Sequence, residues 1–186
     1  PTADTEPLYR QCRLAFNPSS RVEVARRMFS LRFPYADLEG KSLQAMMGME
    51  GVRVRRLYAD LSEKYGVEWQ GRAYVQGRPT EGNPANRALT FLNQLLYGIC
   101  TSSLLALGYS PRIGFIHSGS PMPFVYDVAD LYKSDLTIDL AFKLVSEGAD
   151  VFDRHVLIDA FCARLIERKV LGAFAETVNG VLDAEA

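Results

Sequence analysis

Residues 40 to 65, Gly-Lys-Ser-Leu-Gln-Ala-Met-Met-Gly-Met-Glu-Gly-Val-Arg-Val-Arg-Arg-Leu-Tyr-Ala-Asp-Leu-Ser-Glu-Lys-Tyr, decide the fold class. Apolar side chains at Leu43, Met46, Met47, Val54, Leu57, Tyr58, Leu61 and Tyr65 recur in steps of three and four, the period of one helix face. The spacing predicts a long helix burying one stripe. Glu50 interrupts that stripe, three residues after Met47 and four before Val54, so a carboxylate is aimed at the core. Burying an unpaired carboxylate is expensive, so Glu50 must be neutral, paired with a cation or bound to metal. Arg53, one turn on, is the structural partner on offer; a functional Glu50 is the alternative.

Working outward, Leu8 to Phe16 reads as a short helix closed by Asn17-Pro18-Ser19-Ser20. Ser20 is expected to cap a second helix, Arg21 to Phe33, which stops before Pro34. Arg21, Arg26, Arg27 and Arg32 read as a solvated basic face. After Gly66, the alternation of Val67 to Val75 and the Gln70-Gly71 pair predict a small β-hairpin. Trp69, Arg72, Tyr74 and Arg78 there form either a stacking and phosphate-holding flap or aromatics that pin a hairpin to a core. Residues 76–86, rich in Gly, Pro, Thr and Asn, read as a flexible loop. From Asn83-Pro84 to about Gly108 a nearly all-apolar run, broken by Asn93, Gln94, Ser102 and Ser103, predicts a central core helix and not a membrane span. Tyr97 on it reads as packing. The pattern continues as helices from the Pro121/Pro123 turn, over Leu136 to Glu147, from a cap at Asp153 to about Lys169, and over Val170 to Leu182. His155 reads as an outer-face residue, and Arg154, Arg164, Arg168 and Lys169 as a solvated basic flank.

The chemistry is concentrated in residues 114 to 133, Gly-Phe-Ile-His-Ser-Gly-Ser-Pro-Met-Pro-Phe-Val-Tyr-Asp-Val-Ala-Asp-Leu-Tyr-Lys. Ser120 is placed to cap the following helix, on which Asp127 and Asp130 are three apart and share a face. His117 precedes them by one glycine-flanked loop. The set is a metal site, an acid/base pair or a hydrogen-bonded loop. Glu50, an acid aimed at the core from elsewhere, tips the reading toward metal. Carboxylates and one imidazole without thiolate are hard donors suited to Mg²⁺ or Mn²⁺, and such an ion serves phosphodiester chemistry.

Composition sets bounds. With 186 residues, 48% hydrophobic and 23% charged, the chain is long enough for one globular domain with a sizeable core. A net charge of −1 requires any nucleic-acid contact to rest on local basic surface. Cys12, Cys100 and Cys162 are widely spaced and odd in number, which reads as reduced thiols in a cytoplasmic protein. No signal peptide or membrane-spanning run is read, nor a P-loop, HExxH or paired CxxC.

Several stretches together resemble one family: Met-Glu-Gly-Val-Arg-Val-Arg around Glu50, Tyr-Gly-Val-Glu-Trp-Gln-Gly-Arg-Ala-Tyr at 65–74, Leu-Tyr-Gly at 96–98, and Gly-Phe-Ile-His-Ser-Gly followed by Phe-Val-Tyr-Asp-Val-Ala-Asp-Leu-Tyr-Lys. They look like the universal integrase of CRISPR adaptation, in its I-E subtype, over residues 20–170. The resemblance implies a metal-dependent DNA endonuclease and integrase that inserts spacers into the repeat array. In it Glu50, His117 and Asp130 hold Mg²⁺ or Mn²⁺, with Asp127 auxiliary at the catalytic site. Tyr74 and Tyr97 fall at aromatic positions, and Lys133 and Arg154 at basic positions, associated with DNA; Arg53 joins them as a phosphate holder.

The expectation is thus an all-α, multi-helix catalytic domain spanning residues 1–186. It would carry one hairpin and loop insertion at 66–86, without the N-terminal β-domain of the family. The implied partners are protospacer and repeat DNA, double-stranded or branched, a small ferredoxin-like CRISPR adaptation protein, and a second copy in the full-length family, with no membrane. A general nuclease of branched DNA and a non-catalytic helical interaction domain are the competing readings.

Overall fold

The computed structural model describes residues 5–72, 74–75, 78–79 and 83–183. The order is α1 (Glu6–Phe16), α2 (Pro18–Arg32), α3 (Leu43–Tyr65), β1 (Tyr74–Val75), β2 (Arg78–Pro79), α4 (Pro84–Ala106), α5 (Pro123–Lys133), a π-helical segment (Ser134–Asp139), α6 (Leu140–Ser146), α7 (Arg154–Glu167) and α8 (Val170–Leu182). The architecture is all-α with one two-stranded hairpin, as the sequence predicts. Two compact units divide the chain: residues 1–50, 97–131 and 170–186, and residues 51–96 and 132–169.

In the first unit α1 packs on α2, and both pack on α8. Val24, Ala25, Met28 and Phe29 of α2 join Phe174, Val178 and Val181 of α8 among the buried residues. Asn17, not Ser20, caps α2: its Oδ1 accepts from the Ser20 N–H at 3.0 Å, leaving Pro18 in the first turn where its missing N–H costs nothing. The arginines of α2 are tied in rather than solvated. Arg21 Nε donates to the Phe115 carbonyl at 2.8 Å, Arg26 Nε to the Leu38 carbonyl at 3.2 Å, and Arg32 is paired with Glu50.

In the second unit Trp69 stacks on Tyr58 with centroids 4.5 Å apart and leans on Phe142 at 5.2 Å, so the indole is a core group and not a flap. The hairpin lies further along than the alternation predicts. Residues 67–72 form no strand; pairing is Tyr74 with Pro79 and Val75 with Arg78. The segment before it is instead fastened to α4 by the buried Asn86, whose Nδ2 donates to the Gly71 carbonyl at 2.8 Å. Of the loop expected at 76–86, residues 76, 77 and 80–82 lie outside the described residues, as does the Tyr74 side chain.

Helix α3 differs in its packing from the reading of its sequence, and α4 agrees with its own. On α3 only Met46 and Leu61 are fully buried, and Met47 is exposed, so the stripe is narrower than its spacing suggests. Helix α4 is, among the described residues, the one helix long and apolar enough to cross a membrane on length and composition. Its Leu89, Leu92, Leu96, Cys100 and Leu104 are fully buried at near-four-residue spacing, the pattern of a core helix.

Between α5 and α6 the helix widens into π geometry, which periodicity did not indicate. An extra residue per turn leaves a carbonyl without its usual partner. Arg164 of α7 supplies one, its Nη1 donating to the Asp135 carbonyl at 3.0 Å and to Asp135 Oδ1 at 3.0 Å. Arg164 also reaches Asp139 Oδ2 at 3.3 Å, while Arg168 Nε stands 2.7 Å from Asp135 Oδ2. These two arginines therefore belong to a structural network rather than a solvated flank. Asp153 caps α7 as expected, accepting from the His155 N–H at 2.8 Å, and His155 is exposed.

Candidate active site

The histidine loop between α4 and α5 has no regular structure, so its backbone polar groups need other partners. Three side chains provide them. Gln11 of α1, fully buried, donates through Nε2 to the carbonyls of Ser110 and Ile113 at 2.9 and 2.7 Å and accepts from the Ser110 N–H at 2.8 Å. Arg21 holds the Phe115 carbonyl. From α5, Asp127 takes the amides of Phe115 at 2.6 Å and Ile116 at 3.1 Å on Oδ2, and that of His117 at 2.9 Å on Oδ1.

Gly114 makes this approach possible. A Cβ at that position would stand 2.7 Å from the Pro123 Cβ and 2.9 Å from Asp127 Oδ2. Helix α5 starts at Pro123, and the Ser120 Oγ is buried without a hydrogen-bond partner, so the serine cap expected there does not form.

The same carboxylate aims the imidazole. His117 Nδ1 lies 2.7 Å from Asp127 Oδ1, which draws the ring proton to Nδ1 and leaves Nε2 with its lone pair. Asp127 has no exposed surface and accepts from backbone and ring together, so it orients and does not reach solvent. Nε2 points toward Asp130, 3.8 Å from Oδ2. One turn separates the two aspartates, and the turn divides their work.

Glu50 arrives from α3. Arg32, the last residue of α2, forms an ion pair with Glu50 Oε1 and stands 3.6 Å from Asp130 Oδ2. Arg32 and Glu50 side chains are 7% and 17% exposed, so both charges are largely desolvated and the pairing is what makes their burial tolerable. Around one guanidinium the fold thus gathers Glu50, Asp130 and, through Asp130, His117.

Among the described residues no three His, Cys, Asp or Glu side chains form a ready-made metal site. The donor set itself fits a hard divalent ion, with two carboxylates and a neutral imidazole nitrogen. What occupies the position between the carboxylates is Arg32. Its importance was missed in the sequence, although a signal exists: Arg21, Ala25, Met28 and Arg32 share one face, so arginines close both ends of a buried stripe.

Tyr97 of α4 packs edge-on against Tyr126 at 5.0 Å, and Tyr126 against His117 at 6.1 Å, which places Tyr97 one ring away from the imidazole. Arg53, Tyr74, Lys133 and Arg154 belong to the second unit. There Arg154, exposed, lines a cavity of about 230 Å³ with Arg87, Gln94 and Phe152, and Arg87 lies over the Phe152 ring at 4.4 Å.

A helical chain in which a buried aspartate orients a part-exposed histidine beside two further carboxylates resembles the CRISPR-associated proteins. The model described as "CRISPR associated protein Cas1" matches residues 18–176, and the chain belongs to the Cas1 family. The CRISPR-associated endonuclease Cas1 2 of Chlorobaculum tepidum is 48% identical over 182 residues, covering 98% of this chain and 62% of that protein. The CRISPR-associated endonuclease Cas1 of Escherichia coli is 38% identical over 83% of this chain and 50% of its own length. The chain thus spans between half and two thirds of these relatives. Among solved structures, TtCas1 in complex with DNA superposes with a TM-score of 0.87 at 37% identity, over 97% of this chain and 67% of that one. A casposase bound to integration product shares the fold, with a TM-score of 0.76 at 13% identity over 98% of this chain and 70% of that one.

Proposed function

We propose that this chain is the catalytic part of a DNA integrase and endonuclease of CRISPR adaptation, of the I-E subtype, acting in the cytoplasm. The observation that carries the reading is the convergence of Glu50, Asp130 and the Nε2 of His117, with Asp127 fixing the ring. Family membership and the solution of TtCas1 with DNA support it.

In this reading Glu50, His117 and Asp130 hold Mg²⁺ or Mn²⁺. The ion would polarise the phosphodiester and offset the charge that builds on its oxygens. Asp127 keeps the His117 proton on Nδ1, so that Nε2 stays a donor of electrons. The reaction is transesterification: a 3′-hydroxyl of the incoming DNA forms a new bond to a repeat phosphorus while the existing P–O bond to the repeat strand's 3′ oxygen breaks. Arg53, Lys133 and Arg154 hold backbone phosphates, and Tyr74 and Tyr97 contact DNA as aromatic surfaces. The contribution of the three cations falls with added salt. Residues 1–186 act as one functional domain, working with protospacer and repeat DNA, a small ferredoxin-like adaptation protein and a second copy.

In the complete protein, Glu50→Ala, His117→Ala and Asp130→Ala are each expected to abolish joined products when a 3′-hydroxyl donor, repeat DNA and Mn²⁺ are supplied. Retention of joining by any of the three overturns the assignment. Cut but unjoined products from the unaltered protein would favour a nuclease of branched DNA. The Arg32–Glu50 pair favours one further reading, a helical interaction module whose acid is already neutralised. A melting temperature that does not move with Mn²⁺ would support that module.

A further inference from the structure

One peptide in the histidine loop is held from both edges. The carbonyl of Phe115 and the amide of Ile116 belong to the same planar unit. Arg21 Nε, from α2, donates to the carbonyl edge at 2.8 Å, and Asp127 Oδ2, from α5, accepts from the amide edge at 3.1 Å. A peptide bonded on one edge can swing about its neighbouring dihedrals; bonded on both, it cannot turn without breaking two hydrogen bonds. The flanking amides of Phe115 and His117 also end on Asp127, so the plane of this unit sets how the whole run meets the carboxylate.

The two grips reinforce each other. A guanidinium donating to a carbonyl polarises the peptide and makes its N–H the stronger donor, so the charge of Arg21 is felt at Asp127, which has no exposed surface. The position of Arg21 does not serve its own helix. Helix α2 begins at Pro18, so Arg21 stands in its first turn, at the end whose dipole disfavours a cation. What the side chain meets there is the carbonyl of a fully buried residue, two positions before the imidazole. Gln11, by contrast, bonds Ser110 and Ile113, on the other side of Gly114.

We infer that Arg21 is a positioning residue for His117: through the 115–116 peptide and Asp127 it keeps the ring proton on Nδ1 and turns Nε2 toward Asp130. The ring stands 2.7 Å from Asp127 Oδ1 by Nδ1 and 3.8 Å from Asp130 Oδ2 by Nε2. What this orientation does for an ion rests on the metal reading of the site proposed above; where the proton sits does not.

The test is nitrogen-15 NMR of the complete protein without metal or DNA, at a pH where the imidazole is neutral, since long-range N–H couplings show which ring nitrogen carries the proton. The unaltered protein is expected to show Nδ1–H; Nε2–H there overturns the inference. Arg21→Met keeps the stem and loses the donor, and the ratio of Nδ1–H to Nε2–H is expected to fall about tenfold, the equivalent of one weakened hydrogen bond. Arg21→Lys keeps the charge and loses the planar fork, and is expected to fall between. An unchanged ratio in both variants overturns the inference. Should Arg21→Met not fold, Arg21→Lys decides by the same ratio. Arg164→Ala, in the second unit, is the control for stability. It is expected to leave the proton on Nδ1, and a ratio that falls there as far as in the Arg21 variants shows a general loosening and overturns the inference. Mn²⁺ titration separates this from the metal reading: an unaltered protein that binds no Mn²⁺ ends that reading, while the tautomer ratio still decides the role of Arg21.

Discussion

Arg32 and Arg164 are two buried arginines that each face a pair of carboxylates, and they are built differently. Arg164 meets Asp135 and Asp139, four residues apart on one helical rung, together with the Asp135 carbonyl. Its partners are local to one another and would come together in any chain that formed that rung. Arg32 meets Glu50 and Asp130, eighty positions apart on separate helices, with His117 beside them. Nothing local holds those acids together. The contrast separates an arginine whose acids are neighbours on one helical rung from an arginine whose acids only the tertiary fold brings together.

The largest effect is expected where the gathered site is tied to the fold. Asp127→Ala leaves three loop amides and the imidazole N–H without an acceptor. At about 1–3 kcal/mol for each stranded buried donor, the loss is about 4 kcal/mol in urea unfolding. A loss below about 1 kcal/mol would show that the loop holds itself. Next is Arg164→Ala, expected to cost about 3 kcal/mol because it removes the buried cation shared by two partly buried acids, leaving Asp135 with Arg168 and Asp139 with Tyr65 and Lys64, and takes a donor from the Asp135 carbonyl, with no recovery on adding Mn²⁺. Recovery by Mn²⁺ would erase the distinction drawn between the two arginines. Gly114→Ala is expected to cost about 2 kcal/mol, since its Cβ would overlap Pro123 and crowd Asp127, and to weaken Mn²⁺ binding by displacing His117. Unchanged Mn²⁺ affinity would mean the loop's seat on Asp127 does not matter to the site.

The smallest effect concerns pH. Burial pushes the Asp139 carboxyl up, but hydrogen bonds from Tyr65, Lys64 and Arg164 outweigh it and hold the group below its ordinary 3.8. A depressed carboxyl adds stability above the unfolded value and loses it as pH falls through the folded one. The deficit of Asp139→Asn, about 1 kcal/mol or less, should therefore be constant above pH of roughly 5 and shrink below about 4. A deficit that persists undiminished well below that range would show that shape, not charge, makes the Asp139 contact.

Much of the fold was legible because helix periodicity and breakers are local. Gly108, with φ of 80°, ends α4 by letting the Tyr109 N–H return to the Leu104 carbonyl, as a helix-stopping glycine should. The π segment was not legible, and the arginine that bonds it, Arg164, lies on a different helix. The hairpin was misplaced for a similar reason: Trp69 alternates like a strand residue but is captured by Tyr58 and Phe142. In the site, Glu50 stood out as an acid inside an apolar stripe, and Asp127 and Asp130 as neighbours on one face. Their division of labour did not, since it depends on which oxygen meets which loop amide.

By itself, then, the sequence determined that the chain is helical, where most helices stop, and which residues carry unusual chemistry, since each of these follows from spacing within a few turns. Only the tertiary structure decided what those residues meet. It placed Gln11 and Arg21 on the loop carbonyls, Asp127 under the loop amides and Arg32 between Glu50 and Asp130. Those pairings join residues from 10 to 102 positions apart. Hydrophobic period carries no information about them, because burial selects the face a side chain is on and not the partner it finds there.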